Sequence, residues 1–104
     1  MAIARIWRGT VPTARADEYV DYQRETGIAD ISATPGNRGV FLLRREDGEH
    51  THFTTISLWE SEDDIEAFSG HGDRTARIEP RDAEFLVDSI PEAEHHLIAI
   101  ESLP

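Results

Sequence analysis

Five histidines, ten arginines and neither lysine nor cysteine bound the chemistry open to this 104-residue chain. His50 and His52 alternate along a strand-like run, and His95 and His96 are adjacent in another. Histidine titrates near neutrality, so in an enclosed cavity it can accept a phenolic proton. Strands of a small sheet lie close together, which makes His52 and one of the adjacent pair, His95 or His96, the candidate bases; His95 is the choice carried forward. The competing reading leaves His50 beside a turn and one of His95 and His96 in solvent. Arg5 and Arg8 fall on opposite faces of the first strand and Arg44 on the second. An arginine beside a cavity holds a carboxylate or phenolate by paired hydrogen bonds and stabilises enolate charge. The alternative for each is an ion pair with one of the many carboxylates. Arg8 follows Trp7 directly, so one of the two faces a cavity. Arg8 and Trp59 join the histidines as catalytic candidates; Trp7, Arg5, Arg44 and Tyr19 are candidate substrate-binding residues. Tyr22 shares the first helix with Tyr19, and packing competes with ligand contact for both tyrosines and for Trp59.

Other chemistries lack their residues. No helical pair of histidines with a carboxylate fixes three metal ligands, so no metal site is expected. No serine sits in a Gly-x-Ser-x-Gly elbow. Gly36-Asn37-Arg38-Gly39 precedes a strand rather than a helix, so it is no phosphate loop. Nothing supports flavin or nicotinamide binding. The chain carries 21 acidic residues, a net charge of -11, which disfavours nucleic acid and anionic membrane as partners. No apolar run approaches the roughly 20 residues of a membrane span, and no signal-peptide pattern opens the chain, so a cytoplasmic protein is expected. The length suits one domain spanning 1–104. A domain this small buries only about 60–70% of its unfolded surface, and an added interface completes its core.

These residues must be placed by a short series of elements. Ile3 to Val11 alternates without a clean polar face, the pattern of a strand covered on both sides. Pro12-Thr13 ends it and offers Thr13 as a helix cap, followed by Ala16, Tyr19, Val20 and Gln23 at helical spacing. Gly27 is a point of interruption, but Ile28, Ala29 and Ile31 imply that the helix continues or re-forms before the turn Thr34-Pro35-Gly36-Asn37. Two strand-like runs, Val40–Leu43 and Phe53–Trp59, flank Asp47-Gly48, a hairpin turn signal. Ser61 to Asp64 reads as a capping box opening a helix that runs to about Gly70. His71 to Arg81 is polar and aperiodic, Pro80 opens a short helix through Leu86, and His96 to Ile100 reads as the last strand. The order βαββαβ is that of a ferredoxin-like α+β fold, with a four-stranded antiparallel sheet and both helices on one face. The opposite face then exposes apolar groups, Trp7 or Trp59 among them, and predicts a homodimer.

Pro35-Gly36-Asn37-Arg38-Gly39 entering the second strand, and Ser57-Leu58-Trp59-Glu60-Ser61 leading into a helix with Ala67-Phe68, resemble the antibiotic biosynthesis monooxygenase family. The resemblance implies a dimeric α+β barrel formed through the sheet face. Members include cofactor-free oxygenases of polyphenolic substrates, heme-degrading enzymes and many proteins without established activity. It therefore implies a small-molecule enzyme for an aromatic, phenolic or enol substrate, which a histidine deprotonates before reaction with dioxygen, without cofactor. The first alternative is heme degradation. Heme-degrading members carry an iron-ligating histidine near the end of the second helix, an asparagine on the first strand and the junction tryptophan. His71 and Trp59 match, but Trp7 stands where the asparagine would, and Ser69–Asp73 reads as a polar loop. The second alternative is a non-catalytic dimer, whose mark would be a cavity with every polar group engaged internally.

Overall fold

The computed structural model describes residues 2–70 and 74–104. The chain runs β1 (Ile3–Pro12), α1 (Ala16–Glu25), α2 (Gly27–Ala33), β2 (Asn37–Asp47), β3 (His50–Trp59), α3 (Glu62–Ser69), β4 (Asp88–Ser89) and β5 (Glu94–Leu97), with 3-10 turns at Thr13–Arg15 and Pro80–Glu84. The strands form one antiparallel sheet in the order β2-β3-β1-β4, with β5 also on β1. Helices pack on one face. This is the expected ferredoxin-like α+β arrangement.

The sheet has five strands, not four, because the last strand is broken. β4 pairs with Gly9 and Thr10, and β5 pairs with Ile3 to Ile6, along the same edge of β1. Pro91 lies in the gap and has no N–H to give the ladder. The residues around it turn instead to the segment after α3: Ala76 N–H donates to Pro91 O at 2.9 Å, and Ala93 N–H donates to Arg74 O at 2.7 Å. The expected strand His96–Ile100 is displaced to Glu94–Leu97 because β1 runs out; Ile98 makes the final bond, to Ala2 O at 2.9 Å. Thr13 is not the cap of α1. Its hydroxyl donates to Gly48 O at 3.0 Å, tying the end of β1 to the β2–β3 hairpin.

Other local signals act where they stand. Thr26 leaves helical geometry (φ −120°, ψ −92°) and α2 resumes at Gly27. Gly48 carries the hairpin's positive φ of 63°, and no non-glycine among the described residues shares it. Ser61 Oγ accepts from Asp64 N–H at 3.2 Å and caps α3, while its hydroxyl donates to Asp64 Oδ2 at 2.9 Å. Gly70 at φ 77° ends the helix.

Two apolar clusters fill the space between helices and sheet. One joins Val11, Ala16, Tyr19, Tyr22, Phe53 and Phe85; the other joins Ile3, Ile31, Trp59 and Ile65. Along the sheet they are separated by the register pairs Arg5–Ser57 and Trp7–Thr55. The centre of the covered face is therefore polar. Odd-numbered side chains of β1 and β3 face the helices, so Trp7 and Trp59 both lie on this side, not on the open face. The open face carries Ile6 and Ile56, with Phe41 58% and Leu43 47% exposed beside them. No helix among the described residues is long and apolar enough to cross a membrane.

Candidate active site

A cavity of about 70 Å³ occupies the polar gap between the two clusters. Its floor is Arg5 and Trp7 of β1 with Thr55 and Ser57 of β3. Tyr19 and Gln23 of α1, Gly27 and Ile31 of α2, and Phe68 of α3 form the walls, and Arg77 to Glu79 with Asp82 cover it. Gly9 makes the floor possible: a Cβ there would run into the Trp7 ring and, at 2.9 Å, Leu86.

Two buried side-chain atoms lack a hydrogen-bond partner among the described residues, Trp7 Nε1 and Asp82 Oδ1. Both residues line this cavity. One atom is a donor and the other an acceptor. Buried polar groups are nearly always paired, by protein, water or ligand, so two unpaired atoms of opposite role on residues lining one small cavity make it the candidate site.

Arg5, 5% exposed, is set by the strand beside it. Its Cα partner on β5 is His95, and Arg5 Nη1 lies 2.8 Å from His95 Nε2, while Nη2 donates to Thr75 O at 3.3 Å. A guanidinium only donates, so His95 Nε2 must accept and the ring proton sits on Nδ1. That proton is donated to Glu62, whose oxygens lie at 3.0 and 3.2 Å. Burial holds the His95 ring below the ordinary histidine range; Glu62 opposes this and Arg5 and Arg74 add to it.

The cover is pinned by charge. Arg77 Nη2 reaches Glu79 at 2.9 Å and Asp30 of α2 at 3.2 Å, with its guanidinium 4.8 Å from the Phe68 ring centre. Asp82 is fixed through its other oxygen, which accepts Glu79 N–H at 2.7 Å. Burial, reinforced by the Asp82 charge, raises the Tyr19 phenol above its usual range. Burial, then the close side-chain approach of Tyr22 to Asp82 and that carboxylate's charge, push Tyr22 up to about 12. Both phenols stay protonated at neutral pH.

Of the candidates from sequence, Arg5, Trp7 and Tyr19 meet in the cavity, and His95 stands behind Arg5. The others lie elsewhere. His52 faces the open side of the sheet, 3.0 Å from Thr10 Oγ1 and 3.3 Å from Asp47 Oδ2. Arg8 shares that face and pairs with Glu94 at 2.6 Å. Arg44 bonds Asp17 at 2.8 Å and Glu46 at 2.7 Å. Trp59 is fully buried, donates to Ser57 Oγ at 2.8 Å and packs beside Phe68 without lining the cavity. His50 and His96 are exposed, and His71 lies outside the described residues. Sequence reasoning missed Gln23, Thr55, Ser57, Arg77 and Asp82. Glu79-Pro80-Arg81-Asp82 carries a legible capping signal, which would have marked Asp82 as ordered; Arg77 sits in a stretch without period or motif.

No group of three or more metal-ligating side chains occurs among the described residues. A porphyrin does not fit this cavity either. About 70 Å³ is far short of the roughly 300–1,000 Å³ of a cofactor pocket, and the Trp7 indole occupies the floor.

The sequence profile described as antibiotic biosynthesis monooxygenase matches residues 2–79. A search of curated proteins returned no match. Among solved structures, a putative antibiotic biosynthesis monooxygenase from Bacillus cereus is 14% identical, with 99% of this chain and 98% of that one covered at a TM-score of 0.67. SnoaB, a cofactor-independent oxygenase from Streptomyces nogalater, is 21% identical over 99% and 97% at 0.61. The heme-degrader MhuD from Mycobacterium tuberculosis, solved with two hemes in its active site, is 18% identical over 96% and 98% at 0.63. At these identities the structures speak for the fold alone, and the profile speaks for the family. With residues 2–79 of its 104 matched, the chain belongs to the antibiotic biosynthesis monooxygenase family.

Proposed function

We infer that this protein is a small-molecule oxidoreductase that deprotonates a phenolic or enolic substrate and lets the resulting anion react with dioxygen, without a cofactor. The observation that carries this reading is the meeting of Arg5, Trp7, Tyr19 and Asp82 in the lining of one cavity, two of them with a buried polar atom unpaired among the described residues. The Asp82 carboxylate takes the substrate proton; the Trp7 N–H and the Arg5 guanidinium hold the oxyanion that forms. Tyr19, kept protonated, donates and does not compete as a base. A cofactor-independent oxygenase and a heme-degrader share this fold alike, so the choice between them rests on the cavity and not on the similarity. His52 and Arg8, on the far side of the sheet, have no part in it. A cavity of about 150 Å³ takes benzene, so binding a substrate ring requires the Arg77–Glu79 part of the cover to shift while Asp82 stays in place. The apolar open face supports a homodimer formed through the sheet.

The test is oxygen uptake with a panel of dihydroxyaromatic and enolic compounds. Asp82→Asn should lower turnover by about 10²–10⁴-fold, the usual contribution of a positioned base. Uptake unchanged by this substitution removes the mechanism. Hemin is titrated in parallel: a Soret shift would transfer the reading to heme chemistry.

A further inference from the structure

We propose that Glu62 and His95 form a positioning pair that aims Arg5 into the cavity, and that protonation of His95 releases Arg5 and weakens anion binding there. The second half rests on the reading of the cavity as an anion site; the first rests on geometry alone.

Arg5 and His95 are Cα partners on neighbouring strands and point to the same covered face. The order of donors leaves one arrangement: Arg5 Nη1–H to His95 Nε2, and His95 Nδ1–H to Glu62. The His95 side chain is 8% exposed, whereas Glu62 is 62% exposed. The ring is thus held between a cation in the interior and a carboxylate at the rim. Its lone pair is spent on Arg5, so His95 touches no substrate. It acts through the guanidinium.

The charged groups that face the ring among the described residues are Arg5 from β1, Glu62 from α3 and Arg74 from the segment after α3. Protonation would place an Nε2–H 2.8 Å from Arg5 Nη1, donor against donor and cation against cation. Among the described residues Glu62 opposes this, and water screens it. The contact breaks, and Arg5 loses one of the bonds that set its direction. Burial and the two arginines depress the ring's affinity for protons, so the neutral, holding state prevails at pH 7 and above and is lost on acidification.

Ring ¹⁵N spectra of the intact protein test the pair without any ligand. At pH 7.5 His95 should carry its proton on Nδ1 with Nε2 bare. The Arg5 Nη signals, held apart by hydrogen bonds, should average as the ring protonates. A ring with its proton on Nε2, or Arg5 signals that ignore acidification, overturns the proposal. Binding is read with benzenesulfonate, whose charge is constant from pH 5 to 8, by tryptophan fluorescence. Wild type should weaken roughly tenfold across that range, a normal size for linked sites. His95→Gln keeps an acceptor and a donor in the same order without titrating, so its binding should be retained and flat with pH. His95→Phe should bind weakly throughout. Wild-type binding that is flat or tighter at low pH, or a His95→Gln profile like wild type, overturns the switch. No benzenesulfonate binding at any pH, with the spectra as expected, removes the anion reading of the cavity and leaves the pair standing.

Discussion

At the scale of single residues, Trp7 and Asp82 carry more information than any histidine. Each keeps a buried polar atom without a partner among the described residues, a cost of about 1–3 kcal/mol apiece in an interior. Both residues line one cavity, which is why the proposed site is placed there. Trp7→Phe retains most of the ring and removes the orphaned N–H. The variant should unfold at higher urea, by about 1 kcal/mol, and bind phenolate more weakly. Because the smaller ring also loses packing, binding decides: phenolate held as tightly as by wild type would mean that Nε1 serves no ligand. Arg5 makes a related point. Arg8 and Arg44 take surplus carboxylates at the surface, the ordinary outcome in an acidic protein, and buried Arg5 counts a neutral imidazole among its partners.

At the scale of elements, the cavity exists because β1 and β3 place polar pairs between two apolar clusters, and because Gly9 leaves room for the Trp7 indole. Gly9→Val suits a strand backbone yet puts side-chain atoms where the indole lies. Overpacking of this kind costs about 1–3 kcal/mol and should turn Trp7 from its place. Urea unfolding and near-UV circular dichroism read both effects. A variant of wild-type stability with an unchanged indole signal would show that Gly9 does not set the floor. The broken last strand belongs to the same scale. Pro91 takes the chain out of the β1 ladder, and its carbonyl accepts from Ala76, which anchors the segment leading to the cover.

At the scale of the whole molecule, the open sheet face separates this chain from a self-sufficient monomer. Phe41 and Leu43 stand 58% and 47% exposed beside Ile6 and Ile56, a contiguous apolar surface that a soluble monomer rarely leaves uncovered. Light scattering should report a dimer, and Phe41→Glu with Leu43→Glu should dissociate it. A wild-type monomer at tens of micromolar would contradict the proposed homodimer. The net charge of -11 sits on helix starts, loops and rims, as at Glu62 to Asp64, and leaves the cavity floor to Arg5.

The local signals were legible because they act over three or four residues: Asp47-Gly48 for the hairpin, Ser61 for the start of α3, Gly70 for its end. The parity of β1 was legible too, with Arg5 and Trp7 on one face, since side chains alternate by necessity. Which face the helices cover was not, because β1 is apolar on both. Likewise one of His95 and His96 had to face inward, but only pairing with β1 decided that it was His95, and only the facing guanidinium decided its proton. The cavity depends on Arg77, from a stretch with no period to read, and on Asp82, whose capping signal marks local order but not what the residue faces. Sequence determines what each segment can form; which segments meet depends on contacts across tens of residues, and no local pattern encodes those.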